Sequence, residues 1–462
     1  MAILLIAITV AIPIWTVDYP GMVDYPNHLA RCYILAHYHA SPFWQARYLV
    51  VYDPLPNLAM DLIVVPLNHF LPILVSGKIF LTLAALLYVL GCVWLGSAII
   101  GKWNWFVPFA SLTFYNSALL YGFVNYVFGV AVFLCAFAFW MQSRARMPSV
   151  RFVLCCVLSL VAYLSHLSAF IFLGVACTTV ASMEWRRHRD TLLLVHQLAW
   201  LVCPVLLMAG FLRRAGKGGG GIDWSTISEK AIYLFAPIRG YNLAFDAATI
   251  AIVLICAVVI LMPPKIHSVA AAGAVMFCLF LVTPKELFTV SGADARYVIP
   301  AFLLVILSIE PKWGQAQKAA LIVATVAMVV RTADITANWV DIDRRERRVL
   351  QMGDILPTNA SVFLVDTRQQ PILSKYDRVL PNVINLWAVS RQVSVSGLFS
   401  RAGQQPLVAR QPPCADLRSQ VCLASYNYIW TDNPLPVTEQ LVRSVADPAA
   451  VWESVTLWKI RR

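Results

Sequence analysis

The sequence begins with Met1–Val17, MAILLIAITVAIPIWTV, and then reads DYPNHLAR over Asp24–Arg31. The first stretch is apolar, whereas the second carries a carboxylate, an imidazole and a guanidinium within a short polar cluster. Asp24, His28 and Arg31 are spaced i, i+4 and i+7, so a helix would present all three on one face. Ionisable groups at a membrane boundary are costly to place there without a use. The cluster is therefore the first candidate for a functional site.

The composition predicts a polytopic α-helical membrane protein. Of the 462 residues, 60% are hydrophobic and 13% are charged, against about 25% charged residues in soluble proteins. Met1–Val17 lacks the basic n-region and the A-x-A site of a cleaved signal, so we interpret it as a first span. The net charge of +12 does not indicate nucleic-acid binding, because much of it lies in short loops where basic residues set membrane orientation.

About eleven transmembrane spans are predicted from the apolar runs. They cover roughly 1–16, 71–100, 105–120, 123–141, 151–164, 167–183, 191–212, 247–262, 266–283, 297–309 and 319–333. If the N-terminus is inside, the basic loops fall on the inner side, among them those containing Lys102, Lys265 and Lys312. The outer side then receives the loop 17–70 and the C-terminal region. We therefore predict a transmembrane domain over 1–338 and an extracytoplasmic domain over 339–462.

The C-terminal region has the sequence pattern of a small α/β domain. Strand-like runs at Ser361–Val365 and Val393–Val395 alternate with helical stretches such as Val437–Val445, and about 120 residues suffice for a separate core. Cys414 and Cys422 lie in a polar stretch, and an outer location predicts a disulfide between them. Two free thiols would instead fit a cytoplasmic tail.

The outer loop 17–70 contains two aromatic-rich segments with apolar helical spacing, Leu29–Tyr38 and Pro54–Phe70. We expect interfacial helices there, lying along the membrane surface. Asp18 and Asp24 open this loop, and one of them is a candidate general base while the other positions a partner or a metal. The alternative is that Asp24 is only a helix N-cap and Asp18 a solvated loop residue.

Three further polar residues are predicted at the outer surface. His166 lies between two spans and is a candidate for binding phosphate or orienting a substrate, unless backbone carbonyls satisfy it. Asn125 is either a substrate contact or a hairpin-packing residue. Arg296 precedes a span at a depth that suits a lipid-linked phosphate, or it reaches the headgroups as an ordinary interfacial arginine. The spacing of His37, His39 and His69 does not predict a metal site.

This architecture resembles the GT-C superfamily of integral-membrane glycosyltransferases that use polyprenyl-phosphate sugars. The shared features are a hydrophobic first span, a long outer loop opening with acidic residues, about eleven spans and an outer α/β domain. Asp24–Arg31, Tyr121–Gly129, Leu164–Phe170 and Asp294–Pro300 also resemble segments of a group of bacterial multi-pass membrane proteins. The resemblance implies a bacterial inner-membrane protein whose C-terminal domain is outside the cytoplasm.

The resemblance also implies a mechanism. Asp24 or Asp18 would deprotonate an acceptor hydroxyl, which would attack the anomeric carbon of the lipid-linked sugar with inversion. Arg296, Arg31 and the histidines would stabilise the phosphate leaving group. The implied partners are a polyprenyl-phosphate sugar, membrane lipid and a glycan, lipid or protein acceptor, and the use of a divalent cation stays open.

Two other functions are compatible with a polytopic membrane protein. A transporter or flippase of a lipid-linked substrate predicts ionisable residues near span midpoints and internal repeats, which the sequence does not favour. An assembly protein that recruits partners through its outer domain would leave the Asp24–Arg31 cluster without a role.

Overall fold

A computed structural model describes residues 2–143, 148–215, 221–260, 264–287, 290–365, 376–411 and 423–461. The predicted disulfide between Cys414 and Cys422 lies outside these residues. The chain divides into two compact units. The first unit comprises Met1–Ile14, Pro54–Ala59 and Leu81–Thr336, and the second comprises Trp15–Asp53, Met60–Phe80 and Ala337–Arg462.

The described part of the chain is mostly helical, with short strands between the helices. The α-helices are α1 (Ala2–Thr16), α2 (Tyr25–His37), α3 (Pro42–Arg47), α4 (Ala59–Leu67), α5 (Ile73–Ile100), α6 (Val107–Leu112), α7 (Ser117–Leu120), α8 (Val124–Ser143), α9 (Pro148–Ser165), α10 (Leu167–His188), α11 (Thr191–Leu198), α12 (Val202–Ala215), α13 (Ile227–Tyr233), α14 (Leu243–Ile260), α15 (Val269–Val282), α16 (Val298–Leu307), α17 (Gln315–Met352), α18 (Tyr376–Val383), α19 (Trp387–Arg391) and α20 (Pro436–Val445). The strands are β1 (Tyr48–Val50), β2 (Ile222–Asp223), β3 (Pro264–Ile266), β4 (Glu286–Leu287), β5 (Val290–Ser291), β6 (Ile309–Pro311), β7 (Ser361–Leu364), β8 (Ser394–Val395), β9 (Leu407–Ala409), β10 (Tyr428–Asp432), β11 (Ala446–Trp452) and β12 (Val455–Ile460).

Several helices are long and apolar enough to cross a membrane. Among the described residues, 5 helices meet this condition, namely α5, α8, α10, α14 and the segment Gln315–Ile355 that contains α17. A sixth span arises if the pair Thr191–Leu201 and Pro204–Phe211, bent by 49°, is counted as one. Shorter apolar helices occur at Ile3–Thr16, Ser149–Ser165, Val269–Val282 and Ala295–Leu307. The protein is a multi-pass membrane protein.

The predicted single span over 105–120 is wrong in detail, because the chain forms two short helices there, α6 and α7. Asn116 separates them in an extended conformation, and its Oδ1 accepts from the backbone N–H of Leu119 at 3.1 Å. Its Nδ2 donates to the carbonyl of Thr113 at 2.9 Å. The amide thus provides hydrogen-bond partners for the end of one helix and the start of the next.

Within the first unit, α8, α9 and α10 pack against one another, and α15 packs on both α10 and α16. Gly273 permits the close approach of α15 to α16, because a Cβ at this position would lie 2.9 Å from the carbonyl oxygen of Ala301. Small residues let transmembrane helix backbones come together in this way.

The second unit contains a five-stranded sheet in the order β11-β12-β10-β7-β8. β7 is parallel to both β8 and β10, while β12 is antiparallel to β10 and β11. β7 and β10 are buried at every position, as expected for central strands covered on both faces. The predicted strands near Ser361–Val365 and Val393–Val395 and the predicted helix at Val437–Val445 are confirmed. The helix α2 packs on α18 and α19 in this same unit.

Candidate functional site

The structure divides the predicted site residues between the two units. Asp18, Asp24, His28 and Arg31 belong to the second unit, whereas Asn125, His166 and Arg296 belong to the first.

Asp24 precedes α2 at the N-cap position, as the sequence predicts, but its side chain makes no capping hydrogen bond. The carboxylate instead accepts from Nδ2 of Asn382 in α18, at 3.3 Å to Oδ1. The same amide donates to the carbonyl of Val23 at 2.9 Å, which fixes its orientation. Asp24 is only partly buried, so its carboxylate is positioned without being used to cap the helix.

Arg31 lies two turns further along α2 and forms a buried, two-pronged ion pair with Asp61 of α4. Its Nε and Nη2 atoms donate to the two carboxylate oxygens, each at 2.8 Å. The two side chains are 1% and 2% exposed. Such pairing is what allows two charges to be buried. Nη1 of Arg31 is buried and makes no hydrogen bond, which leaves one nitrogen of the guanidinium for another acceptor.

His28 lies between Asp24 and Arg31 on α2 and is 6% exposed. Its ring meets Phe399 edge-on, with centroids 5.4 Å apart, and its Nδ1 makes no hydrogen bond. Burial, reinforced by the neighbouring Arg31 charge, holds the pKa of His28 well below its usual range. His28 is therefore a neutral imidazole at pH 7 and would contact a phosphate by hydrogen bonding, without contributing a charge.

Asp18 has a different environment from Asp24. It forms an ion pair with Arg347 and lies 3.8 Å from Nζ of Lys78. Oδ1 of Asp343 accepts from the backbone N–H groups of Asp18 and Tyr19 at 3.1 and 2.8 Å, and Arg347 bridges back to Asp343 at 2.9 Å. Asp18 thus belongs to a network of opposite charges that holds the start of the loop onto α17.

Tyr126 brings His166 and Arg296 together in the first unit. Its ring meets His166 edge-on at 5.5 Å between centroids, and its hydroxyl donates to the carbonyl of Arg296 at 2.7 Å. His166 caps α10, with Nδ1 accepting from the backbone N–H of Ser168 at 3.1 Å. Asn125 is 1% exposed and donates to the carbonyl of Asn57 at 2.9 Å. Both side chains therefore have structural partners.

The Arg296 guanidinium lies 5.7 Å from the ring centroid of Phe123, and its Nη2 donates to the carbonyl of Ser291 at 3.1 Å. Its Nε is buried and makes no hydrogen bond. As with Arg31, one guanidinium donor is left for an additional acceptor.

Sequence reasoning missed the charged partners that organise both units. Asp294 is fully buried and pairs with Nζ of Lys230 at 3.0 Å, while Asp61, Lys78 and Arg347 bind the predicted residues of the second unit. The sequence does mark one of these residues, because Lys78 is the single charge within the apolar run 71–100. Lone charges in such runs are usually paired or functional.

A metal site is not evident in the part of the chain that the structure describes, since no group of three or more His, Cys, Asp or Glu side chains could hold an ion there.

Comparison with known proteins extends the description of the fold. No protein-family model and no curated protein matches the sequence. Among solved structures, the chain is similar to ArnT from Cupriavidus metallidurans, crystallised with undecaprenyl phosphate, at a TM-score of 0.54 and 12% identity. The match covers 98% of this chain and 97% of ArnT. The chain therefore shares the fold of ArnT over almost its entire length, as the predicted architecture led us to expect.

Proposed function

We propose that this protein is a membrane glycosyltransferase that transfers a sugar from a polyprenyl-phosphate donor to an extracytoplasmic acceptor. The fold shared with ArnT supports this class of reaction. The observation that carries the proposal is the position of the Asp24 carboxylate, which does not cap α2 and accepts a hydrogen bond from Nδ2 of Asn382 at 3.3 Å. The Asp18 carboxylate is instead held in an ion pair with Arg347. Asp24 is accordingly the proposed general base.

In the proposed reaction, Asp24 takes the proton of an acceptor hydroxyl as the oxygen attacks the anomeric carbon. The new carbon–oxygen bond forms opposite the bond to phosphate, which breaks with inversion. The polyprenyl phosphate leaves with the bonding electrons, and because it is already a stable anion no general acid is required. Asn382 holds the Asp24 carboxylate in position for this step.

Arg31 and His28 are the proposed contacts to the phosphate near Asp24. The ion pair with Asp61 fixes the plane of the Arg31 guanidinium and leaves Nη1 available. The neutral His28 adds a hydrogen bond, which is worth less than a charged donor. Asn125, His166 and Arg296 remain predicted substrate contacts. We further propose that the protein lies in a bacterial inner membrane and that its acceptor belongs to the cell envelope.

The test uses membrane vesicles containing the wild-type protein and a panel of synthetic polyprenyl-phosphate sugars, with release of polyprenyl phosphate as the measurement. Asp24→Asn should lower the rate about 10²–10⁴-fold, the usual contribution of a general base. Asp354→Asn is the matched control, because that carboxylate is exposed and pairs with Arg391 at 3.2 Å.

Full activity in both Asp24→Ala and Asp18→Ala membranes would contradict the proposed role of these carboxylates. Movement of an intact labelled donor across the bilayer, with no donor consumed, would favour the flippase instead.

A further inference from the structure

Two loops of the first unit converge on one carboxylate, that of Glu310 in β6. Nζ of Lys102 contacts Oε1 at 2.5 Å, and Nζ of Lys265 contacts Oε2 at 3.5 Å. Nε2 of His267 lies 3.3 Å from the same Oε2. Three nitrogen groups from two distant parts of the chain therefore surround one carboxylate.

Hydrogen bonds to the backbone connect the segments that carry this cluster. β3 and β6 form a two-stranded ribbon that places Lys265 directly opposite Glu310. Asn104, which is 1% exposed, donates to the carbonyl of Leu307 at 2.8 Å and so fixes the loop that carries Lys102. The backbone N–H of His267 donates to the carbonyl of Ser308 at 2.9 Å. These hydrogen bonds hold the backbone segments that carry Lys265 and Glu310, and the loop that carries Lys102.

Glu310 does not satisfy all the hydrogen-bond donors of Lys102 and Lys265. Their side chains are 63% and 72% exposed, against 18% for Glu310. Each ammonium group has three N–H donors, and two lysines against one carboxylate leave an excess positive charge. The Lys102 hydrogen bond, with a further one from His267, lowers the pKa of Glu310 to about 2, so the carboxylate stays charged and keeps the lysines in place.

Aromatic residues close to the cluster in sequence favour a location at a membrane–water interface. Trp105 and Trp313 meet at 6.4 Å between ring centroids, and Trp105 is 57% exposed. Tryptophan is enriched at the headgroup level of membranes. The cluster also lies at the end of α16 opposite to Arg296, and this helix of 10 residues is about 15 Å long. It is therefore separate from the candidate site around Tyr126.

We propose that Lys102 and Lys265 form a binding site for the phosphate of an anionic phospholipid headgroup, bordered by Trp105 and Trp313. The tryptophans favour a lipid over free phosphate, because they place the lysines where headgroups lie. Glu310 acts as an internal competitor that orients the lysines and limits their affinity. The site does not depend on the proposed glycosyltransferase activity.

The test places the purified protein in nanodiscs of phosphatidylcholine with added phosphatidylglycerol and counts retained phosphatidylglycerol by native mass spectrometry. Lys102→Gln and Lys265→Gln should each reduce retention roughly fivefold, the effect of one basic residue near an anionic surface. Lys102→Arg should retain the lipid. Glu310→Gln should increase retention, because it frees both lysines.

Lys459→Gln, at an exposed strand position in β12, controls for a general loss of charge. Equal retention in the Lys102→Gln/Lys265→Gln double variant and in Lys459→Gln would overturn the site. Displacement of the lipid by millimolar inorganic phosphate would overturn its assignment to a headgroup. Reduced retention in Glu310→Gln would overturn the role of Glu310 as a competitor.

Discussion

Asp18 and Asp24 have identical side chains, but their neighbours give the two carboxylates different environments. Asp18 is half exposed and sits between two cations, Arg347 and Lys78. Exposed ion pairs contribute up to about 1 kcal/mol, so Asp18→Asn should change stability little and reduce the transfer rate far less than Asp24→Asn. Parallel rate and thermal-unfolding measurements on the two variants check this order. An equal loss of rate would mean that both carboxylates take part in the chemistry.

The buried pair of Arg31 and Asp61 should matter most for stability. Asp61→Asn leaves the Arg31 charge without its partner inside the protein, and breaking such a pair costs about 3–5 kcal/mol. Replacing both residues, as in Arg31→Met with Asp61→Leu, should restore much of that loss because no charge is then buried. Unfolding in detergent measures both effects. A double variant as unstable as Asp61→Asn would show that the ion pair stabilises the fold by more than it costs to bury its two charges.

Glu346 is fully buried in α17, and neither of its carboxylate oxygens makes a hydrogen bond. A buried polar group without a partner destabilises the folded state by about 1–3 kcal/mol. Glu346→Met should therefore raise the thermal midpoint, while Asp354→Asn at an exposed site should leave it unchanged. A lower midpoint in Glu346→Met would indicate an unrecognised stabilising contact. Greater stability with lost transfer would mark Glu346 as functional.

Residue spacing correctly predicted a helix after Asp24, because α2 extends from Tyr25 to His37. It could not predict that Asp61 takes up two donors of Arg31. That pairing depends on the packing of α2 beside α4, which follows from the tertiary fold and not from local periodicity.

At the scale of elements, α13 is anchored by charges outside the membrane spans. Thr226 and Glu229 form a capping box, and Oε1 of Glu229 accepts from Lys285 at 2.7 Å. The Lys285 hydrogen bond, with a second from the backbone of Thr226, lowers the pKa of Glu229 from 4.5 to about 2. A lowered carboxyl pKa stabilises the folded state above the unfolded pKa. This contribution should be complete above pH 4.5 and lost as the pH falls through about 2.

Carbon-13 NMR of the Glu229 carboxyl group measures this shift directly. In Lys285→Gln the pKa should rise towards 4.5, although the Thr226 hydrogen bond should keep it somewhat lower. An unchanged pKa in that variant would show that Lys285 does not cause the shift.

The segment 105–120 shows where periodicity fails for an element. Its apolar residues satisfy the rule for a span, yet Asn116 ends one helix and caps the next. In contrast, α5 and α8 continue as single helices and match their predicted spans closely. Apolar content predicts burial or membrane contact, whereas helix length also depends on such capping residues.

For the whole molecule, loop charge predicted that Lys102, Lys265 and the region around Lys312 share one side. Two of these loops meet at Glu310, as that prediction requires. We expect this side to be cytoplasmic and the C-terminus to be outside. Alkaline phosphatase fused after Arg462 should be active, and green fluorescent protein at the same position should be dark. The reverse pattern would invert the topology and disfavour a disulfide between Cys414 and Cys422.

The hydrogen bond from Asn104 to Leu307 has a consequence for synthesis in the cell. The two residues are 203 positions apart, and ribosomes add about 5–20 residues per second. Asn104 therefore emerges about 10–40 s before its partner, calculated from that rate. During this interval its amide has to be hydrated or held by the insertion machinery, because an unpaired amide is costly in lipid. The cluster around Glu310 is thus completed late in translation, when residues near 310 have been inserted.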